Sequence, residues 1–177
     1  ATSKAISASP PLVDILAGLN GVDYSSLAFG DYDNDGDLDL ALCGSDGSGY
    51  RSLIYRNIAG VYSDIGAVLT NGMRWGELAF GDYDNDGDLD LALSGYTPDG
   101  GGTFISRIYR NSSEVFSDIG AGLTGTCYSS LAFGDYDNDG DLDLALSGLE
   151  SGGTDISRIY RNSAGAYSDI VAGLTGV

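Results

Sequence analysis

Asp31-Tyr32-Asp33-Asn34-Asp35-Gly36-Asp37-Leu38-Asp39 recurs unchanged at residues 82–90 and again at residues 135–143. Each copy crowds five carboxylates into nine residues. At an effective dielectric near 20, like charges about 4 Å apart repel by on the order of 4 kcal/mol per pair. A chain that keeps this arrangement three times implies a cation in each copy. Carboxylates at positions 1, 3 and 5 converge on one hard ion. Glycine at position 6 permits a sharp turn because it has no Cβ. Position 7 then offers its carbonyl, and the acid at position 9 closes the shell. An all-oxygen set of this size suits calcium better than zinc or copper. A solvated acidic turn would explain one copy, but three identical copies favour the metal.

The residues just after each loop decide its type. A helix-loop-helix calcium hand needs a closing Glu at position 12. Here that position holds Leu42, Leu93 or Leu146. The run Asp-Leu-Asp-Leu-Ala-Leu alternates with period 2, which predicts a strand. The loop therefore joins two strands. In the first unit the expected strands are A at residues 26–30, B at 38–43, C at 53–56 and D at 61–65. No segment has the periodicity of a sound helix. Phe29, Phe80 and Phe133 are 51 and 53 residues apart, and Tyr55-Arg56-Asn57 returns as Tyr109-Arg110-Asn111 and Tyr160-Arg161-Asn162. Four strands per 40–50-residue period is the signature of propeller blades. The fold class expected is all-β, with three four-stranded antiparallel blades per chain as part of a larger ring. Residues 1–11 read as a flexible lead and residues 12–177 as the three-blade segment. Residues 12–15 read as an extra copy of strand D, available to complete a neighbouring chain's blade.

The chain resembles the FG-GAP/VCBS repeat family, the integrin α-chain type of propeller. The residues that carry the resemblance are Phe29-Gly30-Asp31-Tyr32-Asp33-Asn34-Asp35-Gly36-Asp37-Leu38-Asp39-Leu40 and their two copies. The resemblance implies an innermost strand A and a calcium ion in each A–B loop, three per chain. It implies side-chain ligands at Asp31, Asp33, Asp35 and Asp39 with the carbonyl of Asp37. The same roles fall to Asp82, Asp84, Asp86 and Asp90 with Asp88, and to Asp135, Asp137, Asp139 and Asp143 with Asp141. Three blades fall short of the four to eight of closed rings and leave two open edges. A homodimer closing a six-bladed ring is the expectation. A fragment of a longer array and another multimer are the alternatives.

The formal charge is −18, with no His and a single Lys among eight basic residues; fifteen of the 26 acids lie in the three loops. This acidity argues against nucleic acid and anionic membranes, which need basic patches. The apolar runs are too short for membrane insertion. Cys43 and Cys127 occupy different positions in their units, which argues for two free thiols. The enzyme reading lacks a His base, a nucleophile set and a phosphate loop.

In an up-and-down blade, the B–C and D–A loops share the end opposite the calcium loops. These loops vary between units, and varied loops on a rigid scaffold are where binding lives. The candidate ligand face holds Asp23, Tyr24, Arg74, Trp75 and Tyr128. Its aromatics either meet a glycan or protein ligand or pack between blades. Arg56, Arg110 and Arg161 are expected to pair across strands with Asp64, Asp118 and Asp169. The function expected is a calcium-binding propeller module, extracellular or on the cell surface, that serves binding or adhesion. The alternatives are a lectin and a purely structural or engineered fragment.

Overall fold

The computed structural model describes residues 13–174. Twelve strands form three antiparallel meanders. The first unit contains β1 (Asp23–Gly30), β2 (Asp39–Ser45), β3 (Tyr50–Ile58) and β4 (Val61–Asp64). The second contains β5 (Arg74–Gly81), β6 (Asp90–Thr97), β7 (Thr103–Ser112) and β8 (Val115–Asp118). The third contains β9 (Thr126–Gly134), β10 (Asp143–Glu150), β11 (Asp155–Ser163) and β12 (Ala166–Asp169). The four expected strands per unit are present, each within a few residues of its expected ends. The one helical element among the described residues is a 3-10 turn at Asp99–Gly101, in the loop before β7. No helix among the described residues is long and apolar enough to cross a membrane.

The units are not wholly separate sheets. Ile105 on β7 bridges to Thr126 on β9, which joins the second and third units into one eight-stranded sheet. The equivalent contact between the first two units is an isolated bridge from Arg51 to Met73. The three units form no closed ring. The segment expected at residues 1–11 lies outside the described residues, as does Leu12. Residues 13–15 form no strand. Asp14 instead accepts the Leu16 N–H at 2.8 Å. Asp64, Asp118 and Asp169 make the same turn onto Gly66, Gly120 and Val171. The duplicated tail therefore keeps its local conformation without a strand partner.

Leucine alternation places the core between units. Tyr32, Ala41 and Ile54 of the first unit cluster with Leu78, Leu91, Leu93 and Tyr109 of the second. Their counterparts Tyr83, Ala92 and Ile108 cluster with Leu131, Leu144, Leu146 and Tyr160 of the third. Each sheet is thus covered by its neighbour, and the residues of β2 and β6 are buried on both faces except near their ends. This stacking brings β1, β5 and β9 side by side. All three aspartate loops come directly after these strands and therefore lie at one end of the stack.

Candidate metal centres

Each loop folds on its own carboxylates. Asp31 accepts the N–H groups of Asp35 and Gly36 with its two oxygens. Asp82 and Asp135 do the same for Asp86 with Gly87 and for Asp139 with Gly140. The turn needs left-handed backbone, and position 4 (Asn34, Asn85, Asn138) has φ near +60°. Asn tolerates that region better than other side chains. Gly36, Gly87 and Gly140 come two residues later at φ 94°, 92° and 95°.

Position 9 closes the loop from inside. Asp39 is buried and takes the Tyr32 N–H on Oδ2 at 3.1 Å and the Asn57 N–H on Oδ1 at 2.8 Å. Asp90 holds Tyr83 and Asn111 in the same way, and Asp143 holds Tyr136 and Asn162. The loop start and the end of the third strand are thereby tied to one carboxylate.

The carboxylate oxygens also converge on one another, with lone pairs beyond those the backbone N–H groups use. Asp31, Asp33 and Asp39 bring ligand atoms within 4.8 Å of one another. So do Asp82, Asp84 and Asp86, and so do Asp135, Asp137 and Asp143. The Oδ1 atoms of Asp84 and Asp137 are buried with no hydrogen-bond partner. A buried carboxylate oxygen without a donor is costly unless a cation meets it. The donors are all oxygen, which fits a hard divalent ion. Position 7 turns its side chain elsewhere. Asp37 and Asp141 accept the N–H groups of Ala59 and Ala164, and Asp88 accepts from Asn34. The side chains at positions 1, 3 and 9, or 1, 3 and 5, are therefore the ones assembled, and position 7 has only its carbonyl to offer.

The arginines at the end of the third strands do not pair as expected. Arg56 lies opposite Ser63, while Asp64 lies opposite Tyr55. Adjacent strand positions point to opposite faces, so Arg56 and Asp64 cannot meet. Arg56 Nε instead reaches Asp33 Oδ2 at 2.6 Å. Arg110 spans Asp84 and Asp86, both at 2.8 Å, and Arg161 spans Asp137 and Asp139 at 2.9 and 3.1 Å. Each guanidinium covers Oδ2 and so offsets part of the loop's charge. Asp118 and Asp169 pair with Arg107 and Arg158, where the first unit has Leu53. The fixed recurrence of Tyr-Arg-Asn was the sequence signal for this clamp.

Residues 31–93 match the protein-family model described as an FG-GAP-like repeat. That stretch is an FG-GAP-like repeat. It runs from the first aspartate of loop one into β6, and so takes in two of the three acidic loops. The third loop repeats the same nine residues. No curated protein matches the chain. FG-GAP repeats form propeller blades and are generally non-catalytic binding modules.

Burial sets the protonation of these repeats when no ion is bound. It pushes the Asp90 carboxyl up to about 7, with the charges of Asp84 and Asp86 adding to it. It also raises Asp33, Asp39 and Asp84. Asp86 is lowered by the Arg110 hydrogen bond, and Asp139 first by the Asp141 N–H. The two groups titrate in different windows. The lowered ones lose their stabilising effect only below the ordinary carboxylate value of 3.8. Above 3.8 and up to about 7, the folded chain keeps a proton on Asp90 that the unfolded chain releases. Stability falls with rising pH wherever the folded state binds more protons. The melting temperature of chelated protein is therefore expected to fall from pH 4 to pH 7 and then level off. A divalent cation bound among these carboxylates would hold them ionised and flatten the slope. Thermal melts across that range test this, and a rise over the window in chelator would contradict it.

At the opposite end, Tyr24, Trp75 and Tyr128 sit at φ 48°, 56° and 47°. The register of β1 and β5 shifts at these points, and that of β10 on β9 shifts beside Tyr128. Their rings form a ladder across the units, with Trp75 stacked on Tyr128 at 5.0 Å and edge-on to Tyr24 at 5.9 Å. The Arg74 guanidinium lies 3.7 Å over the Trp75 ring and 4.7 Å over Tyr50. Packing between units thus occupies Trp75, whereas Tyr24 and Tyr128 stay exposed. Asp23 is exposed at the start of β1. Cys43 and Cys127 are free and buried, and burial pushes the Cys43 thiol up to about 12.

Proposed function

We propose that the chain is a calcium-binding FG-GAP module that works outside the cell. In this reading three ions hold the loop end rigid and the aromatic end meets a ligand. The observation that carries it is the convergence of three carboxylates in each loop, with the buried Oδ1 atoms of Asp84 and Asp137 left without donors. The ions take Asp31, Asp33, Asp35 and Asp39 with the Asp37 carbonyl, and the equivalent sets in the other loops. Extracellular calcium fills sites as weak as about 10⁻³ M, which supports that location. Calorimetric titration of chelator-treated protein tests the metal, with three calcium ions per chain expected. No heat and no stoichiometry at millimolar calcium would overturn it.

The ligand is most simply a protein surface. Arg74 and the aromatic rings make an amphipathic patch of the kind enriched at interfaces. Glycan binding is the second reading, favoured by the exposed rings of Tyr24 and Tyr128. A glycan array in millimolar calcium separates the two. A signal lost at least tenfold in Tyr128→Ala supports glycan binding, and a blank array removes it.

A further inference from the structure

The blade-to-blade interface is built twice in this chain, and each half of it recurs alone at one end. In the two complete interfaces, the leading unit offers a glycine at the end of its first strand, and the next unit lays a phenylalanine ring over it. A Cβ on Gly30 would lie 2.8 Å from the Phe80 ring, and one on Gly81 would lie 2.6 Å from the Phe133 ring. Above these rings an asparagine amide crosses to the leading unit's loop tyrosine. Asn111 Nδ2 donates to the Tyr32 carbonyl and Asn162 Nδ2 to the Tyr83 carbonyl, both at 2.8 Å. At the loops, Asn34 donates to Gly87 O and Asp88 Oδ1, and Asn85 donates to Gly140 O and Asp141 Oδ1.

The third unit presents the leading half uncovered by any of the described residues. A Cβ on Gly134 meets nothing within 4 Å. Tyr136 is 46% exposed, whereas Tyr32 is 1% exposed. Ala145 is exposed, whereas Ala41 and Ala92 are fully buried. Among the described residues, no asparagine reaches the Tyr136 carbonyl and the Asn138 amide has no acceptor. The first unit presents the trailing half uncovered by any of the described residues. Phe29, which corresponds to Phe80 and Phe133, is 60% exposed. Leu27 is 56% exposed where Leu78 and Leu131 are buried. The Asn57 amide donates only to Leu38 O of its own unit.

We propose that these two end faces are halves of one interface, and that a second copy of this chain docks head-to-tail so that two copies close a six-bladed ring. Phe29 of one copy then covers Gly134 of the other. Asn57 donates to the Tyr136 carbonyl, and Asn138 reaches Gly36 O and Asp37 Oδ1. Complementary but unlike faces close a ring when the rotation between them allows it. Six blades fall within the range of closed propellers. The inference rests on the repeated packing and does not depend on what the aromatic end binds.

The test is solution mass, by light scattering, of the full chain in millimolar calcium. The wild type is expected at twice the chain mass. Gly134→Leu fills the groove where the second copy's ring would sit, at a place where the single chain has room. Phe29→Asp charges the opposite face. Each variant is expected at the mass of one chain, with unchanged circular dichroism. An equal mixture of the two has one intact pair of faces and is expected to recover a two-chain species. A one-chain wild type overturns the proposal. So does a variant that keeps the wild-type assembly, a mixture that stays at one chain, or growth into open-ended polymers.

Discussion

Removing calcium is expected to lower the melting temperature by on the order of 20 °C. With free calcium 100-fold above Kd, each site stabilises the folded state by about 2.7 kcal/mol, and three sites give about 8 kcal/mol. For a chain of this size each kcal/mol moves the midpoint by roughly 2–4 °C. The physical source is the loop itself. Fifteen of the 26 acids sit in three nine-residue stretches, and three of them per stretch hold oxygens within 4.8 Å of one another. The arginine on each third strand offsets only one charge per loop. Melts in calcium and in chelator measure the shift. A third melt, in chelator with about 1 M NaCl, separates specific binding from screening, because the Debye length there is about 3 Å. Equal melting in chelator and in calcium would refute the metal-site reading, and full recovery by NaCl alone would reduce it to screening.

The parts of this fold legible in the sequence are those that recur. Asp31–Asp39 and its copies mark the loop, and the alternation of Leu40 and Leu42 marks the strand after it. Interactions between units are harder to see. Asn57, Asn111 and Asn162 are visible as part of a repeated tripeptide. The amides of Asn111 and Asn162, however, reach Tyr32 and Tyr83 of the neighbouring unit, and no spacing within one unit encodes that. The arginines depart from expectation for a definite reason. Opposite charges on paired strands suggest a bridge, but the bridge also needs the same face. The register places Arg56 opposite Ser63, one position from Asp64. One residue of register decides which carboxylate a side chain meets. The aromatic ladder is half legible. Three aromatics at matched positions mark it, whereas the bulges that tilt them come from strand pairing.

Within one loop, positions 3 and 9 are expected to fail in opposite ways, and Asp84 and Asp90 make the contrast measurable. Both are expected ligands of the ion proposed for the second unit. Asp84 is one of the three assembled carboxylates, and Asp90 is the buried acid that feels the Asp84 and Asp86 charges. Losing either is therefore expected to cost that unit its ion. Asp90 is also an acceptor for two backbone N–H groups, from Tyr83 and Asn111, and it is fully buried. Asp90→Ala leaves both donors unpaired in the interior, at about 1–3 kcal/mol each. The variant should therefore be destabilised by roughly 2–6 kcal/mol in chelator, before any metal term is counted. The one backbone group near Asp84 is the Asp86 N–H, a lesser influence on it than burial and the charges of Asp86 and Arg110. Its Oδ1 has no donor and its Oδ2 faces Arg110. Asp84→Asn removes a carboxylate crowded by Asp82 and Asp86, and in chelator it should melt within about 1 kcal/mol of wild type. In calcium both variants should bind two ions where the wild type binds three. Denaturant unfolding with and without calcium reads all four values. If Asp84→Asn collapses in chelator as Asp90→Ala does, position 3 is structural and the division of labour within the loop is wrong. If Asp90→Ala is as stable as wild type in chelator, the buried carboxylate does not tie Tyr83 to Asn111. The loop would then depend on the ion alone for its shape.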